Sequence, residues 1–149
     1  MKKQIMAVTL TAAMLAGLAA VPVWADDAGS DEGKVLNIYC WNEEFKSRLT
    51  DHYPGYEEVD ATSGKIGDVD VKWNITPSDD NAYQNNLDET LLKQADAAAD
   101  DKIDLFLIEA DYALKYVNSD YTMSMTDLGF DGSEFDKQYQ YTKDVVTDE

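Results

Sequence analysis

The chain has 149 residues, with 30 Asp plus Glu against 12 Lys plus Arg, and a formal net charge of −18. A phosphate backbone or an anionic bilayer surface is bound by clustered Lys and Arg, so this balance argues against nucleic-acid and membrane-surface partners. One Cys and one His exclude a disulfide framework and the Cys/His zinc patterns, while 44 % apolar and 11 % aromatic residues suit a folded domain.

The N-terminus reads as an export signal. Lys2 and Lys3 precede an apolar run from Ile5 to Ala20, and Val23-Trp24-Ala25 places small residues at a cleavage site before Asp26. Residues 1–25 are therefore expected to be a signal peptide cleaved after Ala25. The run is short for a retained spanning helix of about 20 residues. No Cys stands next to the run, Cys40 lying well inside the folded part, so no lipoprotein-type attachment is expected. Losing Lys2 and Lys3 takes the net charge from −18 to −20. Residues 26–33 (DDAGSDEG) are expected to be a flexible acidic leader.

The folded part is expected over residues 34–149. Val35 to Cys40 is β-rich and predicts a first strand. Glu43 to His52 predicts a short helix, with Phe45 and Leu49 on one face and Pro54-Gly55 ending it. A polar stretch containing Gly64 and Gly67 leads to a second strand, in which Val69, Val71, Trp73 and Ile75 alternate with polar residues. Pro77-Ser78-Asp79-Asp80 signals a helix start. Tyr83, Leu87, Leu91 and Ala95 then recur every four residues, predicting the longest helix and a core stripe. Ile103 to Ile108 is a near-continuous apolar run and predicts a central parallel strand covered on both faces. A short helix is expected over Asp111 to Val117. Beyond it, Met123, Met125 and Leu128 suggest a short element, and Ser133-Glu134-Phe135 the start of a helix. The strand-like tail at about 142–149 reads as the start of a crossing segment.

Strand–helix alternation of this kind predicts an α/β fold, a parallel-sheet βαβαβ unit with helices on its faces. Ligands in such sheets sit beyond the carboxyl ends of the strands. That rule selects Trp41-Asn42-Glu43-Glu44, Thr76 to Asp80, and Glu109 to Tyr112. Together these supply carboxylates, amides, hydroxyls and aromatic rings, which suit a polar uncharged ligand such as a sugar. Each residue also has a plain structural role open to it. Trp41 can be core at a strand end, Asp79, Asp80 and Asp111 can cap helices, and Tyr112 can pack on the sheet.

Catalytic and metal chemistry finds little support. Cys40 lies inside an apolar strand, where an inert buried thiol is expected, and His52 sits at a helix end, where it can favour the dipole. Acyl-transfer and nucleotide-loop motifs are absent. The best calcium loop, from Asp127 through Asp131 and Gly132, fails at Gly129 and Gln138. Glu43 and Glu44 could pair as the acid and base of a glycosidase, but adjacent residues at a helix start point in different directions. Asn74-Ile75-Thr76 matches a glycosylation sequon within a strand.

Three stretches, KVLNIYCWNEEF, VDVKWNITPSDDNAYQNNLDETLL and DKIDLFLIEADYALKYV, resemble the extracellular solute-binding proteins of carbohydrate ABC transporters. The resemblance spans roughly residues 34–147. It implies the first lobe of a periplasmic-binding-protein-like fold with its second lobe missing, so that the chain would be an N-terminal fragment. It implies a non-enzymatic, cofactor-free, monomeric carrier, periplasmic or at the cell surface, handing a sugar or oligosaccharide to permease subunits. Its ligand residues fall on Trp41, Asn42, Glu43, Ser78, Asp80, Glu109 and Asp111. Two alternatives stand beside it: a small secreted α/β hydrolase, and a cell-surface interaction domain using tyrosines such as Tyr139 and Tyr141.

Overall fold

The computed structural model describes residues 33–147, so the expected signal peptide, nearly all of the acidic leader and the last two residues lie outside it. It is a mixed α/β fold. Five strands form one sheet: β1 (Val35–Cys40), β2 (Tyr56–Asp60), β3 (Ser63–Ile66), β4 (Val69–Ile75) and β5 (Leu105–Phe106), in the order β2-β3-β4-β1-β5. β1 pairs in parallel with β4 on one side and with β5 on the other. The pairings β2–β3 and β3–β4 are antiparallel. The expected βαβαβ order is present among β1, β4 and β5. The sheet is mixed, however, and not the parallel sheet expected, because an antiparallel hairpin is inserted between the first helix and the second parallel strand.

Two turns explain the hairpin. Asp60 accepts the Thr62 amide at 2.8 Å, tightening the β2–β3 turn, and that bond with those from Ser63 holds its carboxyl below the usual range. Ile66 faces Val69 across Gly67-Asp68, with Gly67 at φ +60. A glycine at the first of two central positions suits the twist of flanking strands. Gly64 is fixed by packing: a Cβ there would collide with the Tyr56 ring.

Alternation along β1 sends its side chains to two cores. Ile38 and Cys40 join Val71 and Trp73 beneath Phe45 and Leu49 of α1 (Glu44–His52). Tyr39 faces the other way, against Tyr83, Leu87 and Leu91 of α2 (Ala82–Leu91) and Tyr116 of α3 (Ala113–Val117). The α2 stripe is thus core, as its spacing predicts. The helix is shorter than the spacing suggests, because 3-10 turns replace it over Gln94–Asp96 and Ala99–Asp101.

β5 departs from its expected role. Only Leu105 and Phe106 pair as strand, and Leu105 is exposed, because β5 is the sheet's edge and not a strand flanked on both sides. The segment leading into it is held from β1. Asn37, buried, donates through Nδ2 to the Asp100 and Lys102 carbonyls at 2.9 Å each, and its amide donates to Asp104 Oδ2 at 2.7 Å. Desolvation raises the Asp104 carboxyl above its ordinary value of 3.8, against the opposing pull of the Asn37 amide. The folded state then holds this proton more tightly than the unfolded chain, so ionisation with rising pH removes stability. For Asp104→Asn, which retains an acceptor oxygen, the melting temperature is expected to gain on the wild type as pH rises from about 4 to about 7. A gap that stays constant across that range in calorimetric scans refutes it.

Beyond Asn118 the chain is mostly turns. Met123, Met125 and Leu128 are exposed and form no helix or strand. The start expected at Ser133 is a 3-10 turn, Gly132–Phe135, closed by a capping box between Asp131 and Glu134. The tail folds as a short helix, α4 (Gln140–Asp144), and not as an extended crossing strand. Among the described residues, no helix is long and apolar enough to cross a membrane.

Candidate functional site

The order β4-β1-β5 has a functional corollary. The first crossover runs from β1 to β4 on one side, and the next passes back over β1 to β5. Their helices lie on opposite faces of the sheet. At such a reversal the loops beyond the strands diverge and leave a crevice. The strand ends are nearly level: Cys40 faces Ile75, Tyr39 faces Phe106, and the Thr76 amide donates to the Cys40 carbonyl at 3.0 Å. The three sequence-selected loops therefore leave the sheet side by side.

An aromatic cluster underlies them. Trp41, half-buried, meets the Tyr83 ring edge-on at 5.5 Å. Tyr112, also half-buried, packs on the same core, 6.2 Å from Tyr116. Its hydroxyl is raised by burial, against hydrogen bonds from the Glu109 backbone and the Gln84 side chain. Trp41 is thus both packed and partly open, and the two roles left open by the sequence coexist in one ring.

The polar candidates fall into three situations. Asn42 Oδ1 accepts the Glu44 amide at 3.0 Å, so this side chain fastens the start of α1. Glu43 is exposed at that helix start and lines an open depression of about 360 Å³ with Lys46, Ser47, Thr50, Asp51, Glu58 and Ala61. Lys46 is committed there, donating to the Ala61 carbonyl at 2.7 Å and pairing with Glu58 at 3.5 Å. Ser78, Asp80, Glu109 and Asp111 are exposed on the second and third loops. None of the candidate acids caps a helix through its side chain: neither the 3-10 turn Asp79–Asn81 nor α2 nor α3 carries a side-chain cap. The structure brings the parent loops to one edge of the sheet, and Glu43 faces the α1 flank.

The loop after β4 is bent in an unusual way. Asp80 and Asn81 both take positive φ, 51° and 59°, without glycine. Left-handed backbone costs an L-residue about 1–2 kcal/mol, less for Asn. Asn81→Gly is expected to stabilise the fold by about 0.5 kcal/mol, since part of that relief is offset by a freer unfolded chain. Asn81→Ala should destabilise it by about 1 kcal/mol. Urea unfolding of the pair checks the opposite signs.

Cys40 is fully buried and its thiol is raised by desolvation, which disfavours the thiolate. Asn74, in the sequon, has a buried Nδ2 without a hydrogen-bond partner, which leaves no room for a glycan. Among the described residues no three His, Cys, Asp or Glu side chains gather in a way that would hold a metal ion. Comparison with protein-family models, with curated proteins and with solved structures finds no match for the chain.

The four-residue spacing places Tyr83 in the core and says nothing of its hydroxyl. Its hydroxyl in fact reaches two strand-end carbonyls, Leu107 at 2.6 Å and Tyr39 at 3.1 Å. A signal was available: the first core position of a helix that opens beside the strand ends carries Tyr, whose polar tip needs a partner there.

Proposed function

We propose that this chain is the extracytoplasmic, sugar-binding component of a carbohydrate ABC importer, its described part being the first lobe of a periplasmic-binding-protein-like fold. The observation that carries the reading is the reversal of strand order at β1, which sets the Trp41, Ser78–Asp80 and Glu109–Tyr112 loops side by side. The Trp41 ring offers an apolar face to one side of a sugar ring. The side chains of Asp80, Glu109 and Asp111 offer acceptor oxygens, and sugar hydroxyls are donors. Asn42 and Glu43 flank this edge, with Asn42 acting more through the helix start than through ligand contact. The signal-peptide pattern of residues 1–25 supports export, and the permease subunits of the importer would be the partners. The ligand is released unchanged.

Calorimetric titration of the full chain against neutral mono- and oligosaccharides tests this. Saturable heat from one class of sugar, with that sugar recovered intact, is expected. No saturable binding anywhere in the panel, or conversion of the sugar, overturns it.

A second reading, an interaction domain, is favoured by one feature. Tyr139 and Tyr141 are both well exposed, and their rings stack at 6.0 Å and 19°.

A further inference from the structure

Strand β5 ends at Phe106, yet the ladder to β1 runs one rung further, from the Leu107 amide to the Tyr39 carbonyl at 3.0 Å. Tyr83 closes that rung from the α2 side. It is fully buried, and its single hydroxyl proton lies between two acceptors. The shorter contact, 2.6 Å to the Leu107 carbonyl, carries the donated bond, and the Tyr39 carbonyl at 3.1 Å takes the weaker share. Two residues beyond Tyr39 is Trp41, whose ring rests edge-on against Tyr83. Two residues beyond Leu107 is Glu109. One side chain therefore bonds the roots of two candidate ligand loops and supports the aromatic face of one of them.

We infer that Tyr83 is a positioning residue: its hydroxyl fixes the spacing of the β1 and β5 loop roots, and its ring fixes the attitude of Trp41. The inference rests on the sugar-site reading for its effect on affinity, and on geometry alone for its effect on the strand ends. Volume is not the reason for a tyrosine here. Phenylalanine would fill the same space, but without the hydroxyl bond its ring is free to shift against Trp41, and the Leu107 carbonyl loses its donor. Tyr116 supplies the internal control. It is equally buried in the same cluster, but its hydroxyl goes to Asp88 of α2 at 2.9 Å and touches no strand end.

The test compares Tyr83→Phe with Tyr116→Phe in the full chain. Tyr83→Phe is expected to weaken binding of the sugar found by titration roughly ten-fold, the upper range for one neutral hydrogen bond that orients a site. It should also accelerate amide exchange at Leu107 more than at the β1–β4 amides, and shift the fluorine resonance of Trp41 in 5-fluorotryptophan-labelled protein. Tyr116→Phe should lower the melting temperature with affinity and the Trp41 resonance unchanged. Equal affinity losses in the two variants, or unaltered Leu107 exchange in Tyr83→Phe, overturn the inference. If the wild type binds no sugar, the functional reading falls, and the Leu107 exchange and Trp41 resonance decide the positioning role by themselves. If Tyr83→Phe does not fold, exchange in the wild type decides: Leu107 must rank among the slowest amides, and rapid exchange there refutes the pin.

Discussion

Trp73→Ala is expected to lower the unfolding free energy by about 3–5 kcal/mol, the range for removing a large buried aromatic side chain. Trp73 is 3 % exposed in the middle of β4 and joins three elements at once. Its ring meets Phe45 of α1 at 6.2 Å and Tyr56 of β2 at 6.4 Å, both edge-on, and its Nε1–H donates to the Tyr56 hydroxyl at 2.9 Å. Truncation opens a cavity between sheet and helix and removes the donor to a phenol that is itself half-buried. A loss of this size is a large part of a small domain's stability of about 5–15 kcal/mol. Trp73→Phe keeps most of the apolar contact and loses the N–H, so a cost of about 1–2 kcal/mol is expected. Urea unfolding followed by far-ultraviolet circular dichroism measures both. Equal costs for the two variants refute this account.

The same contacts explain why the parallel part of the sheet was legible and the hairpin was not. β4 alternates apolar and polar residues strictly, and the α2 stripe repeats every four, because each buries one face along its length. The hairpin buries very little. β2 sends only Tyr56 inward, with Val59 mostly exposed, and β3 contributes Ile66 and a glycine. Tyr-Glu-Glu-Val-Asp therefore reads as a polar loop, and its strand character comes from pairing and not from burial. The turn residues Gly67-Asp68 between Ile66 and Val69 were the available signal. The opposite error arose at β5, where an apolar run from Ile103 to Ile108 suggested a central strand. Ile103, Phe106 and Ile108 serve the α2 and α3 core, and Leu107 packs on the α1 side. The run is therefore apolar towards both faces while the strand itself pairs on one side only. In the tail, Val145 and Val146 carry β-propensity, but the chain turns helical over Gln140–Asp144, where Gln140 bonds Asp144 one turn on.

The strand-end loops were legible as positions, the contacts of their side chains less so. Strand ends follow from periodicity, so Trp41, Ser78, Asp80, Glu109 and Asp111 all sit on loops at one edge of the sheet. What each side chain does there depends on backbone geometry that no spacing reveals. Asn42 is drawn to the Glu44 amide, Glu43 to the α1 flank, and Asp80 occupies a left-handed turn. The hydroxyl of Tyr83 finds its two carbonyl partners only once β1, the Leu107 segment and α2 have come together.

Trp41 separates the two roles that one ring can play. Were it core alone, Trp41→Ala would cost about 3–5 kcal/mol of stability and leave affinity for sugar unchanged in the folded fraction. Because part of the ring is open and the rest leans on Tyr83, a smaller stability loss of about 1–2 kcal/mol is expected. On the proposed sugar-site reading, affinity for the sugar should fall by roughly thirty-fold, the effect of deleting a tryptophan anchor worth about 2 kcal/mol. Trp41→Phe should recover most of the stability and part of the affinity, since a smaller ring still presents an apolar face. Calorimetric titration beside urea unfolding reads both quantities on the same variants. A large stability loss with intact affinity assigns the ring to the core and removes it from the site. A large affinity loss with a small stability loss is the result that the open half of the ring requires.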